Sequence, residues 1–506
     1  MSGAGKISAP TWWRNSKRAA LAALAYAFLL QLTLSPDSYL HDIIYLHLDC
    51  TWFFTCGKAW MCGMTPYVDF ADSKGPLLWL IYGIAYLINN HSFVGVFWIS
   101  LPFYALSLLA AYKTARLYLP KHSAALAVAL LPHFLYLLRY SYETLAETFC
   151  LPFIFIAIYS ACAAAKRKPT AADAAATGAA LAACLLIKWN VAVMMLAPAA
   201  VTIHRATRHH AATKTLTGLL AGFCAVTVPF LLYFALSGNL GDLISEYFVN
   251  TLATVTDGHK ISLSRTILNF VLGEKIFLLL LAGTALFCWL TRSGPGMAAA
   301  LCWFKLCCSP FDMHGRYMLA LMPFATFLII ALLHALTARH QPPRAIIQAC
   351  CIAAAASVVA VNWPLRYCGF EGQTKELSMS FYRAAYIMAQ VQSPKFLSYS
   401  HDSPVGVATG ALPACRYWAL QNGATQAMID ERSRAIAAGL PDFIIIAEGA
   451  APATEPPGFV TYCRFVGETE DETLLLLGKP GLKQPPADFN VSRADILLKR
   501  NIFNIK

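Results

Sequence analysis

Eleven apolar stretches joined by short polar connections leave this chain few ways to fold. They lie at roughly 18–36, 93–112, 122–138, 145–165, 172–187, 189–203, 215–236, 274–291, 296–309, 316–337 and 345–363. A bilayer-spanning helix needs about 20 largely apolar residues, because in lipid every backbone polar group must be satisfied within the segment. Hydrophobic residues make up 58% of the 506 and charged residues 13%, with a mean hydropathy of +0.53. That composition excludes an ordinary soluble protein. The expected fold class is an all-α polytopic membrane protein of about 11 transmembrane helices. Arg14, Lys17 and Arg18 precede the first run, and no small-residue cleavage site follows it, so it reads as a retained helix.

Charge fixes an orientation. The net charge of +12 lies entirely in the apolar part: residues 1–363 carry 25 Lys and Arg against 13 Asp and Glu, and residues 364–506 carry 14 of each. With the N-terminus in the cytoplasm, alternating spans collect 16 of those 25 basic residues in inside loops, while Asp173 is the one acid there. This is the positive-inside pattern, and it removes nucleic acid as the reason for the excess. The pattern requires that Gly75 to Ile88 does not cross. That segment opens on Gly-Pro and closes on Asn89-Asn90, and it reads as a juxtamembrane or re-entrant helix within a first extracytoplasmic loop, 36–92.

Asp49 to Leu78 concentrates the chemistry. Between hydrophobic runs it packs Asp49, Asp69, Asp72, Lys58 and Lys74, with Gly57, Gly63, Gly75, Pro66 and Pro76. Polar density of this kind beside a bilayer marks a site more than a spacer. The order Asp49, Gly57, Gly63, Pro66-Tyr67-x-Asp69, Asp72-x-Lys74-Gly75-Pro76-Leu77 resembles the first extracytoplasmic loop of bacterial GT-C superfamily glycosyltransferases. The branch in question is related to protein O-mannosyltransferases (glycosyltransferase family 39-like) and lipid A aminoarabinose transferases. Asp49-Cys50-Thr51 stands where the family has Asp-Ser-Ser, which keeps the carboxylate. The Ser309 to Tyr317 segment, with Arg316 before an apolar helix, is similar to another element of that family.

The resemblance implies a GT-C-like membrane module and an enzyme that moves a sugar from a polyprenyl-phosphate donor to an extracytoplasmic hydroxyl, with inversion. Such a reaction needs a base for the acceptor, cations for the departing phosphate and an apolar groove for the isoprenoid. Asp49 is the expected base, against a competing reading in which it caps a helix starting at Thr51. Lys74 matches the family's donor-phosphate lysine, against an interfacial lysine that snorkels to headgroups. Arg316 and Lys188 are further candidates for the same anion; Lys188 sits between two apolar runs, where a charge is expensive. Lys58 and Arg139 read better as headgroup contacts.

Asp69 and Asp72, with Tyr67 between Pro66 and Asp69, would position acceptor or substrate, or hold a divalent cation (Mg or Mn). An Asx turn explains two such aspartates equally well. Glu143 and Glu147 are spaced to share a helix face as a second acidic wall, or to serve a helix start. His259 and His314 lack ligand spacing, so no metal site is assigned and no cofactor is required. No G-x-G-x-x-G after a strand and no P-loop occurs.

Beyond Trp363 the composition turns soluble. Strands are expected at Lys395 to Tyr399 and Asp442 to Ala447, a helix from Thr425 to Ala438 ended by Gly439, and a hairpin from Phe459 to Leu477. The division is therefore a transmembrane module, 1–363, and a small extracytoplasmic α/β domain, 364–506. Cys50, Cys56, Cys62, Cys368, Cys415 and Cys463 would face an oxidising compartment with no readable pairing. The expected place is the inner (plasma) membrane, with a polyprenyl-phosphate-sugar donor, membrane lipid, and a protein, lipid or glycan acceptor as partners. Three other readings stand beside this one: a flippase or transporter of lipid-linked sugar, a GT-C enzyme using a lipid-pyrophosphate oligosaccharide, and a silent protein on the same fold.

Overall fold

The computed structural model describes residues 17–35, 48–90, 92–133, 144–253, 275–308, 319–339, 342–367, 382–399, 406–407, 409–419, 425–447, 456–466 and 473–485. Among the described residues, helix occupies at least part of each of the eleven apolar stretches. In chain order these are α1 (Lys17–Leu34), then α2 (Leu48–Met61) and α3 (Pro76–Ile88) in the first loop, α4 (Val94–Arg116), α5 (Lys121–Leu130), α6 (Ala146–Lys166), α7 (Ala171–Ile187), α8 (Trp189–Arg208) and α9 (Ala212–Leu236). A π-helix follows at Leu243–Asn250, then α10 (Lys275–Thr291), α11 (Gly296–Cys308), α12 (Met322–Arg339) and α13 (Arg344–Tyr367). Among the described residues, five helices are long and apolar enough to cross a membrane: α1, α4, α6, α9 and the helical stretch Leu319–Thr337.

Burial sorts these helices. α6 lies in the middle of the bundle, against α4, α7 and α8, whereas α9 turns Leu216, Leu220, Leu231, Leu232 and Leu236 outward. In lipid an outward leucine costs nothing, so close packing is left to small residues. Gly178 and Gly222 supply it where α7 meets α9: a Cβ on either would fall 1.9 Å from a carbonyl oxygen of the other helix. α3 has 13 residues, about 20 Å at 1.5 Å per residue, short of a hydrocarbon core about 30 Å thick.

Toward the C-terminus the chain forms a five-stranded sheet in the order β2-β1-β3-β5-β4, from β1 (Lys395–Ser398), β2 (Leu412–Pro413), β3 (Phe443–Ala447), β4 (Val460–Val466) and β5 (Thr473–Gly478). β1 pairs in parallel with β2 and β3, while β5 runs antiparallel to β3 and β4. The crossover from β2 to β3 carries α14 (Gln426–Ala437), which has Thr425 at its N-cap and closes before Gly439 at φ +66°. Arg432 on α14 is buried; its guanidinium lies 4.2 Å from the Tyr399 ring centre and donates to Ser398 O at 2.9 Å. Strand β2 is only two residues long and was not expected, since two residues show no alternation.

Candidate active site

α2 starts at Leu48, so Asp49 stands within its first turn instead of capping a helix from Thr51. A carboxylate there is favoured by the helix's positive end. Trp52, Phe53, Phe54 and Cys56 are all buried, so this helix packs against protein. α2 ends in a Schellman motif: Met64 N–H donates to Ala59 O at 3.0 Å and Gly63 N–H to Trp60 O at 3.1 Å, with Gly63 at φ +90°. The expectation that Lys58 reaches headgroups is corrected here. Its side chain is fully buried, and Nζ donates to Gly406 O and, at 3.2 Å, to Thr409 O. Burial pulls this amine down to about 7.

The turn that follows uses the Asp69 carboxylate internally. Oδ2 accepts from Thr65 N–H at 2.6 Å, four residues back, which is not the Asx turn weighed for this residue. Tyr67 adopts φ +66°, a left-handed conformation that costs a non-glycine residue. Its ring, 4.5 Å from Trp79 and 5.7 Å from Phe234, is completely buried, and its hydroxyl donates to Lys74 O at 2.9 Å. Tyr67 and Asp69 thus shape the backbone that presents the next three residues.

Those residues form the charged centre. Asp72 is buried; Ser73 N–H donates to its Oδ1 at 2.5 Å, and Lys74 Nζ lies 3.9 Å from the same oxygen. Burial raises the carboxyl's pKa, Lys74 draws it back, and the charge of Asp49 raises it again, so the two aspartates share one field with Lys74. Lys74 Nζ also donates to Ser73 Oγ at 3.0 Å and stands 5.5 Å from the centre of the Phe53 ring.

Gly75 then seats the turn on the membrane bundle. Its N–H donates to Ile187 O at 3.0 Å, and a Cβ there would fall 2.1 Å from Leu186 O, so only glycine fits. One residue on, Lys188 is the entire connection between α7 and α8, and its ammonium pairs with Glu147 in the first turn of α6. Glu147 therefore serves Lys188 in this structure. Arg316, Glu143, Arg139, His259 and His314 lie outside the described residues. Among those described, no three His, Cys, Asp or Glu side chains converge as a metal site.

Two residues outside the sequence-derived candidates join the turn from elsewhere. Arg416, beyond β2, donates through Nε to Val68 O at 3.2 Å, and its carbonyl accepts from Ala71 N–H at 2.9 Å. Glu246, on the π-helix, pairs with Arg416 at 3.0 Å. The signal available was the run Cys415-Arg416-Tyr417, which resembles the family's C-terminal domain, and an acidic loop at 237–273; nothing local pairs them.

Residues 73–233 match the family model of dolichyl-phosphate-mannose-protein mannosyltransferases, a match that opens on the Ser73-Lys74-Gly75 turn. That match covers less than half of the chain. The fold is similar to that of ArnT from Cupriavidus metallidurans bound to undecaprenyl phosphate, at 12% identity and a TM-score of 0.56, covering 93% of this chain and 99% of that one. Apo ArnT from the same organism gives 11%, 0.51, 91% and 97%. The apo oligosaccharyltransferase of Archaeoglobus fulgidus is similar at 12% identity and a TM-score of 0.46, over 86% of this chain and 70% of that one. No curated protein sequence matches the chain. At these identities ArnT speaks for the GT-C fold alone.

Proposed function

We propose that this protein is an integral-membrane glycosyltransferase that moves a sugar from a polyprenyl-phosphate donor to an extracytoplasmic acceptor hydroxyl, with inversion. The observation that carries the reading is the buried Asp72 carboxylate 3.9 Å from the Lys74 ammonium, on a turn whose carboxyl also feels the charge of Asp49. The match to a mannosyltransferase family model and the GT-C fold shared with an ArnT that binds undecaprenyl phosphate support the donor class. In this proposal the bundle has eleven spans in the inner membrane with the N-terminus inside. The unit 364–506 then lies outside.

In the reaction proposed, the acceptor oxygen attacks the anomeric carbon while its proton passes to the Asp49 carboxylate. The bond from that carbon to the phosphate oxygen breaks on the opposite face, and the charge arriving on the lipid phosphate is met by Lys74. Asp72, beside Lys74 and raised in pKa by burial, keeps the ammonium in place without fully cancelling it. Glu147 answers the charge of Lys188, so the phosphate is assigned to Lys74 first, with Arg316 as a second cation. Tyr67 and Asp69 act through the backbone, and a divalent cation is not required by this scheme.

The test is sugar transfer from a panel of polyprenyl-phosphate sugars by purified protein in lipid, with Asp49→Asn and Lys74→Met alongside. The parent turns over one donor class, Asp49→Asn keeps donor binding but loses turnover, and Lys74→Met falls by about 10²-fold or more. Equal turnover by Asp49→Asn would remove the base from this scheme. Transfer from a lipid-pyrophosphate donor alone, or lipid movement without transfer, would replace the function.

A further inference from the structure

Three segments far apart in the chain meet at Arg416. Its carbonyl and Nε hold Ala71 N–H and Val68 O, on either side of Asp69 and before Asp72. Nη1 pairs with Glu246 Oε1 at 3.0 Å, and Nη2 lies 3.5 Å from Asp242 Oδ1. Glu246 is buried and also accepts from Tyr417 OH at 3.0 and 3.1 Å and from Asn250 Nδ2 at 3.0 Å. It lies on the π-helix, a geometry that gives up regular helix bonding and recurs at functional sites.

The residue after Glu246 completes the grip. Tyr247 hydroxyl donates to Leu185 O at 2.6 Å and would stand 2.9 Å from any Cβ on Gly75. The turn from Val68 to Gly75 is thus held at one end by Arg416 and at the other by the Gly75 N–H bond to Ile187 O, beside which the neighbour of Arg416's carboxylate partner packs. A guanidinium suits this task, since its planar fork can bond a carbonyl and a carboxylate at once; an ammonium offers no such fixed fork.

We propose that Arg416 is a positioning residue for the transfer reaction, holding the Val68 to Lys74 turn, and with it Asp72 and Lys74, against Asp49 by tying it to Glu246. The inference rests on the glycosyltransferase reading above, and it makes the C-terminal part of the chain a working piece of the active site. Without that tie the turn keeps Gly75 on α7 but loses its fixed register with α2. A displacement of about 1 Å in a reacting constellation can cost about 10²-fold in rate.

The experiment uses the full chain in lipid nanodiscs, as parent, Arg416→Met, Arg416→Lys and Glu246→Gln. Hydrogen–deuterium exchange reads peptide 64–78 against peptide 94–116. Arg416→Met speeds exchange in 64–78 with 94–116 unchanged, and kcat falls by about 10- to 100-fold while KM for the donor changes less. Arg416→Lys keeps the melting temperature yet recovers under about a tenth of kcat, because the bond to Val68 is lost. Unchanged exchange in 64–78 for Arg416→Met, or parental kcat in Arg416→Lys, overturns the proposal. A parent that turns over no donor refutes the glycosyltransferase reading instead, and the exchange comparison then decides alone whether Arg416 holds the turn.

Discussion

Gly57→Ala should damage the protein twice through one methyl group. Where α2 crosses α3, a Cβ on Gly57 would lie 2.4 Å from Gly83 N, 2.7 Å from Tyr82 C and 2.8 Å from Trp79 O. All three are backbone atoms, so no side chain can swing away. Ordinary carbon contact begins at 3.4 Å, so α3 must retreat by roughly 1 Å. Overpacking of this kind costs about 1–3 kcal/mol, and a backbone clash belongs at the upper end. The functional cost follows from what the helices carry. Asp49 sits in the first turn of α2, and Lys74 and Gly75 lead into α3. A 1 Å separation of base and cation then lowers kcat by about 10²-fold. Thermal unfolding in detergent and initial rates with the preferred donor measure both effects. Gly241→Ala is the control, since its Cβ meets open space, and it should stay within about 0.5 kcal/mol of the parent. A Gly57→Ala protein with parental melting and parental turnover would refute the reasoning that this crossing sets the site.

Other perturbations follow from the same structure. Lys188→Met leaves the Glu147 carboxylate buried without its ammonium and should cost about 3–5 kcal/mol, whereas Glu147→Gln with Lys188→Met together restores much of it; melting temperatures of the single and double variants decide. The buried Lys58 amine, lowered to about 7 from 10.5, is disfavoured as a cation in the folded state. Its contribution is therefore worst below pH 7 and improves as pH rises toward 10.5, by at most about 1.4 kcal/mol per unit. Melting temperature followed from pH 6.5 to 9.5 should rise with a slope that Lys58→Met flattens, and an identical slope in the variant would count against the assignment.

What could be read from the sequence depended on distance along it. Helices announce themselves by local composition, so the apolar runs were visible as helices. Thr425 and Gly439 bracketed α14 for equally local reasons. In the site, the Asp49 to Gly75 turn was legible as a motif. The cost of burying Lys188 was legible too, but its partner 41 residues earlier was not. Glu147 was legible as the acid of a helix start, and it stands in the first turn of α6, but spacing along the chain could not show that it pairs with Lys188. Lys58 was misread for a related reason: its acceptors are carbonyls about 350 residues away, and every residue has a carbonyl. Arg416 and Glu246, 170 residues apart, could be matched only in three dimensions.

The single-residue link at Lys188 has a consequence for how the protein is made. A helix end leaves its last carbonyls open, and a one-residue connection leaves no room for a local cap. At the end of α7 the carbonyl of Cys184 is taken by Lys188 N–H, that of Ile187 by Gly75 and that of Leu185 by Tyr247. Gly75 is synthesised before α7, Tyr247 some sixty residues after it. During biosynthesis, therefore, this helix end is capped from one side first, and the Leu185 carbonyl gains its partner only once the segment beyond α9 has emerged. Arg416 arrives later still. The turn from Val68 to Gly75 is among the first parts of the chain to leave the ribosome and among the last to gain all its contacts.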